Sequence, residues 1–600
     1  MRLKKYSIKL TSMFLSVALI FSITACNKKS QDEKKEEIVQ QEENQSFDEY
    51  MESLLREDLV SDLSIYVQFV ENPDNFGITD YNKAMTSPSK ENFDKETKQC
   101  EERLAKLTSY DYNSLTEKQK LDYDTIKTYL ENRIEIKDCC YYREPLSTLD
   151  GDHIVLPGIA GLHASRFFET LANRKIEDVE EVKKFFEFYE AAGNYLKDVA
   201  QFEREKAEEG LFMTEERASE VLKVCKKVVD NNAKDFVTSF NDELDKQIWM
   251  SETDKNSLKE MNKDLAKKYI VPGYQAIVDA MKAGSQKAGK TKGLYETELG
   301  KKYYAYILKS ENNIDLTPEE TATILEEAVT EWLVERDAII KDNPTIQVSI
   351  NEKLAAYTDT DSVVKTLNEN AYKDFPDINI NWGVKDMPQS MNGFAMGLFY
   401  PQAIDSTQAL HAIYAGTMLE PKTSSFVQTI GHEGVPGHLY NYCYFMNLDI
   451  STYRKFIGWV GSTGTLEGWT TYIEEYAYKY MGLNEQEARY LELARLLELG
   501  IVERVDIGVN YEGWQLDEIT TYLQKTEPLY VLIAGYIQSV VQDSINSYGP
   551  YCIGYIELTN IKEQMRERLG DRFNDKSFHE SYLNVGPTTF DLLKQQLLGQ

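Results

Sequence analysis

The chain has 600 residues, 42% of them hydrophobic and 28% charged, and its 67 Lys and Arg against 99 Asp and Glu give a formal charge of −32 at pH 7. That length and apolar content support large buried cores and exclude a chain that is disordered throughout, while the acidic excess argues against nucleic acid or an anionic lipid surface as partner. Seven cysteines, no two in Cys-x-x-Cys spacing, show no paired pattern; a chain this long has no need of a disulfide scaffold, and a cysteine-based zinc site is not expected.

At the N-terminus Arg2, Lys4, Lys5 and Lys9 precede an apolar run from Leu10 to Ile23 that closes on Ile23-Thr24-Ala25-Cys26. A basic start, a short apolar stretch and small residues before the break read as a secretory signal over residues 1–25, not as a membrane-spanning helix. The last four residues resemble a lipobox. That implies cleavage before Cys26, a lipid on its thiol and an extracytoplasmic location at the cell membrane. Residues 26–45 are almost wholly Lys, Glu, Gln, Asp, Asn and Ser, too polar to offset the entropy of ordering, so they are expected to form a flexible tether.

From about Phe47 onward the pattern is predominantly helical. Thr116-x-x-Gln119, Thr317-Pro318-x-Glu320 and Asn484-x-x-Glu487 carry the reciprocal helix-start pattern, the second with Pro at the first helical position. After Thr317, Leu325, Ala328, Val329 and Trp332 fall on one stripe, as a core-facing helix requires. The polar stretch Gly284–Lys292 is the softest break, dividing an N-terminal helical half, 46–290, from a second half, 291–600. Alternating apolar runs at Ile346–Ile350 and Ile378–Trp382, and Phe394–Tyr400, predict strands and hence a small sheet before residue 431.

Beyond that sheet, Gly431-His432-Glu433-Gly434-Val435-Pro436-Gly437-His438 gathers two of the six histidines and a carboxylate into seven positions. Two imidazoles and one further ligand make a catalytic zinc site with an open fourth position, and a carboxylate beside them takes the proton of the attacking water. His432, His438 and one zinc ion are therefore the candidate centre, with Glu433 as general base. The usual signature spaces its histidines by four on one helical face; six steps of about 100° leave the second ring some 120° around. Pro436 cannot continue the helix and Gly437 supplies freedom, so a bulge or expanded turn is expected to bring His438 back. For the third ligand Glu467 is preferred. Glu474, two turns further on the same face, is the alternative, and whichever of the two does not bind, or Thr471, would support the ligands from behind.

Residues 432–438, Glu467-Gly468-Trp469, Asp506-Ile507-Gly508 with Gly513-Trp514, Tyr551-Cys552-Ile553-Gly554, and Phe578-His579-Glu580 with Leu583 and Gly586 together resemble the bacterial domain of unknown function 885 family, grouped with HExxH-type zinc metallopeptidases. The resemblance is specific over roughly 380–600. Departures fall at Leu439 and Asn510, where the family often carries histidine. The resemblance implies a mainly α, large helical zinc-metallopeptidase-like architecture, with a small β-sheet beside the active-site helix and a substrate cleft between two halves. It also implies that an edge strand at Asn392-Gly393-Phe394 pairs with the substrate backbone. A donor to the oxyanion is needed as well: Tyr551 is the first candidate, His579 the second and Tyr555 the third. The function expected is a zinc-dependent hydrolase, a peptidase acting on short peptides outside the cell membrane. Two other readings remain: a lipid-anchored peptide-binding protein, which would have no use for Glu433, and a zinc amidase acting on a cell-wall component.

Overall fold

A computed structural model of the chain describes residues 45–143, 179–184, 186–285, 293–387, 397–399, 401–406, 410–416 and 419–599. Cys26, the signal segment, the tether through residue 44, and Asn392, Gly393 and Phe394 lie outside these. The chain divides into two compact units at Leu54/Leu55. In the first, the chain is helical from Phe47, with Tyr50, Met51 and Leu54 buried. The second carries everything described below.

In chain order, the helices that frame the site are α1 (Glu117–Glu135), α2 (Pro318–Asp342), α3 (Ile346–Leu354), α4 (Ser424–Glu433), α5 (His438–Met446), α6 (Thr463–Tyr480), α7 (Glu485–Ile507), α8 (Gly549–Leu569) and α9 (Asp575–Val585). Helices α1, α2 and α7 start where the sequence predicts. Thr116, Thr317 and Asn484 each accept the backbone N–H three residues on, and Gln119, Glu320 and Glu487 return the hydrogen bond to the cap. Two otherwise orphaned backbone donors are satisfied at each start. Leu325, Val329 and Trp332 of α2 are buried in the largest apolar core among the described residues, which runs from Tyr303 to Leu593 and takes in Phe93, Ile136, Cys139, Cys140 and Phe202. A second core is built by Leu63, Met85 and residues between Val182 and Met281, and a small third cluster by Met387, Ala412 and Tyr414 at the sheet. The six cysteines after Cys26 are buried free thiols.

The strand expected at Ile346–Ile350 is instead helix α3. Ile346, Ile350 and Leu354 are buried one helical turn apart and Val348 is 56% exposed, so the core takes the helical period of this run and discards the alternating one. The run Ile378–Trp382 is irregular except for its last residue, which opens β1 (Trp382–Asp386); Phe394–Tyr400 contains β2 (Gly397–Phe399). A third strand, β3 (His411–Ala415), was not among the expectations and is the central one. The sheet order is β1-β3-β2, with β1 parallel to β3 (Trp382 opposite His411) and β2 antiparallel to it (Leu398 opposite Tyr414). Among the described residues no helix is long and apolar enough to cross a membrane.

Candidate metal centre

Helix α4 is capped by Thr423 and buries Phe426, Val427 and Ile430, which leaves His432 and Glu433 in its last turn. Of the bulge or expanded turn expected at the Pro-Gly pair, the structure has the turn, and it separates two helices. Helix α4 ends at Glu433, a turn containing a cis Val435-Pro436 peptide follows, and α5 begins at His438. Gly437 folds back over the end of α4 so closely that a Cβ there would lie 1.8 Å from the carbonyl oxygen of His432, so only glycine fits. From α6, the Trp469 indole N–H donates to the carbonyl of Pro436 at 2.9 Å and fastens the turn.

Helix α6 brings two carboxylates to the same imidazole. His432 Nε2 lies 3.2 Å from Glu467 Oε2, and its Nδ1 lies 2.9 Å from Glu474 Oε1. His438 Nε2 lies 3.3 Å from the same Glu467 oxygen. The two imidazoles are 4.9 Å apart at 81°, and one ligand atom from each of His432, His438 and Glu467 falls within 4.8 Å of the others. The side chains of these three keep 10, 13 and 16% exposure against 1% for Glu474; they can meet a ligand from solvent, and Glu474 reaches such a ligand only through His432.

Burial alone would lower the basicity of His432, but the carboxylates of Glu467 and Glu474 outweigh it and hold the imidazole up at about 10. Burial likewise works against the Glu467 carboxylate, yet His438 and His432 hold it well below the usual range. The cluster therefore demands positive charge, which a divalent cation supplies as well as a proton does. Zinc suits it. Bonds of about 2.0–2.2 Å to nitrogen and oxygen place tetrahedral ligand atoms roughly 3.3 Å apart, matching the 3.2 and 3.3 Å separations here.

Glu433 Oε2 accepts the backbone N–H of Phe399 in β2 at 2.6 Å, so the small sheet braces the candidate base. Thr470 was missed in the sequence. Its hydroxyl donates to Glu467 Oε2 at 3.2 Å and to the Glu467 carbonyl, a neighbour that the three-residue helical spacing could have indicated. Thr471 is buried but its hydroxyl makes no hydrogen bond among the described residues, and the same is true of His438 Nδ1.

Tyr551 sits in the first turn of α8 with its ring stacked on His432, centroids 5.9 Å apart at 22°. Glycines allow that approach: a Cβ on Gly468 of α6 would lie 2.4 Å from Gly554 of α8, and one on Gly554 would lie 2.2 Å from the Gly464 carbonyl. His579 on α9 stands apart from the cluster. It is fully buried and stacked on Phe375 at 4.3 Å. Its Nδ1–H donates to the Asp374 carbonyl and its Nε2 accepts the Tyr472 hydroxyl, which in turn accepts Lys562. Both ring nitrogens are thus engaged. The Tyr555 hydroxyl accepts Arg489 and the ring packs on Trp332. His411 faces Cys443, with its Nε2 3.5 Å from the sulfur.

The sequence pattern of a family described as bacterial protein of unknown function (DUF885) matches residues 73–597. Among solved structures, a presumed lipoprotein from Colwellia psychrerythraea superposes with a TM-score of 0.74 at 15% identity, covering 92% of this chain and 99% of that one. A presumed lipoprotein of unknown function from Shewanella oneidensis gives 0.62 at 15% identity, covering 92% and 100%. At these identities the likeness is one of fold. No curated protein matches the chain.

Proposed function

This chain belongs to the bacterial DUF885 family of proteins of unknown function, and we propose that it is a zinc-dependent hydrolase, a peptidase cleaving short peptides outside the cell membrane. The observation that carries the reading is the convergence of His432 Nε2 and His438 Nε2 on one Glu467 oxygen, with Glu433 next in the chain to His432. Zinc held by these three side chains would act as a Lewis acid toward a water and the carbonyl it attacks. Glu474 keeps His432 Nδ1 engaged, which fixes the ring and directs Nε2 into the cluster. Glu433, with one oxygen held by Phe399, takes the proton of the water on the other and passes it to the leaving nitrogen. Tyr551, over His432, donates its hydroxyl to the oxyanion.

The lipobox at Cys26 and the fold shared with two presumed lipoproteins support a lipid anchor at the membrane, with the polar tether ahead of an acidic enzyme body. The test is zinc analysis of the mature protein combined with a mixed-peptide digest. Glu433→Gln is expected to keep stoichiometric zinc and lose about 10²–10⁴-fold in rate, the scale of positioned acid–base catalysis. Near wild-type hydrolysis in this variant would refute the assignment of the base.

A further inference from the structure

Helix α7 carries three arginines, and two are tied down by acids. Arg489 bonds Glu335 at 2.9 and 2.6 Å and Glu492 at 2.6 Å, and Arg504 bonds Glu326 at 2.7 Å and Glu512 at 3.1 Å. Arg495 differs. Its buried Nε finds no acceptor among the described residues, and its contact with Glu498 is a loose 3.7 Å ion pair, beyond hydrogen-bond length. Among the described residues no carboxylate lies within hydrogen-bond length of the Arg495 guanidinium, and its place makes that informative. Arg495 Cζ lies 6.0 Å from the centre of the Tyr551 ring, which stacks on His432 at 5.9 Å, and the side chain keeps 23% exposure.

We propose that Arg495 anchors the C-terminal carboxylate of the substrate, so that the enzyme releases one or two residues from the carboxyl end of a peptide. This deepens the peptidase reading above and rests on it. A planar guanidinium with free donors matches a carboxylate in a bidentate pair, and an adjoining aromatic face holds it flat. The two ring spacings bound its distance from the candidate centre. Once the carboxylate–guanidinium contact is allowed for, about one or two residues of extended chain fit, at roughly 3.3–3.6 Å each. The glutamates that act on Arg495, Glu474 from α6 and Glu498 from its own helix, leave its donors unbonded.

The test uses the zinc-loaded full chain and N-acetylated pentapeptides in three forms: free C-terminus, C-terminal amide, and amide with one internal Glu. Wild type should favour the free acid by roughly 10- to 100-fold in kcat/KM, the worth of charge-assisted hydrogen bonds. Arg495→Met should erase that preference, mainly through KM, with unchanged zinc content, melting temperature and rate on the amide; Arg495→Lys should keep part of it. Equal wild-type rates on acid and amide, or an equal loss on both in Arg495→Met, would overturn the proposal and leave Arg495 as a partner of Glu474 or Tyr551. A preference that follows the internal Glu would overturn the C-terminal assignment. If no peptide is hydrolysed, the peptidase reading fails on its own. Calorimetry with Glu433→Gln then decides the anchor: tighter binding of the acid than of the amide, lost on adding Arg495→Met, supports it, and equal binding overturns it.

Discussion

Replacing Glu474 with Gln keeps the volume and one acceptor oxygen of a side chain that is 1% exposed, and removes its charge. The bond at stake runs from Nδ1 of His432 to Glu474 Oε1 at 2.9 Å. A hydrogen bond to a charged group contributes about 1.5–3 kcal/mol against about 0.5–1.5 kcal/mol for a neutral one, so the substitution should weaken the orientation of His432 by about 1–2 kcal/mol. Zinc affinity should then fall roughly 10-fold, within the range of about 10–100-fold typical of groups behind metal ligands. Glu474→Ala, which leaves Nδ1 unpaired beside a cavity, should lose nearer 100-fold. Chelator competition on the purified protein measures both. Affinities within twofold of wild type in both variants would show that Glu474 does not hold the ring, and the account of α6 as a two-carboxylate clamp would be wrong.

Gly437→Ala places a Cβ 1.8 Å from the His432 carbonyl oxygen and 2.4 Å from that of Gly431. The turn must move and carry His438 with it, at an overpacking cost of about 1–3 kcal/mol. Zinc affinity and melting temperature should both drop, and unchanged values would contradict the described turn. His579 is held neutral by burial, down to about 4 against an ordinary 6.5, so between those values the unfolded chain binds more protons than the folded one. Stability from this residue is therefore complete above pH 6.5 and declines by about 3 kcal/mol as pH falls toward 4. Urea unfolding of metal-free protein at several pH values should show that slope, and His579→Asn should flatten it. For the anchor, Cys26→Ser should yield unlipidated protein released from the membrane fraction; full retention would make the Leu10–Ile23 segment itself the anchor.

What the sequence determined by itself is local. Helix starts at Thr116, Thr317 and Asn484 rest on a side chain and a backbone N–H three residues away, so a window of four residues suffices to read them. Likewise the pairing of His432 with Glu433, and the inability of one undisturbed helix to present both histidines, follow from helical spacing and proline chemistry. Everything that depended on another element had to wait for the fold. Glu467 and Glu474 share one helical face, and the sequence prefers the first without saying what the second does; only the packing of α4 against α6 puts the first on Nε2 and the second on Nδ1. Ile346–Ile350 satisfies both the strand and the helix period, and the core chose. His579 looked available because nothing near it in the chain reveals that Asp374 and Tyr472 occupy its two nitrogens. Arg495 reads as one more charge on a charged helix until Tyr551 arrives beside it from α8. Covalent spacing and capping act over a few bonds, whereas burial and the pairing of distant charges are properties of the packed whole.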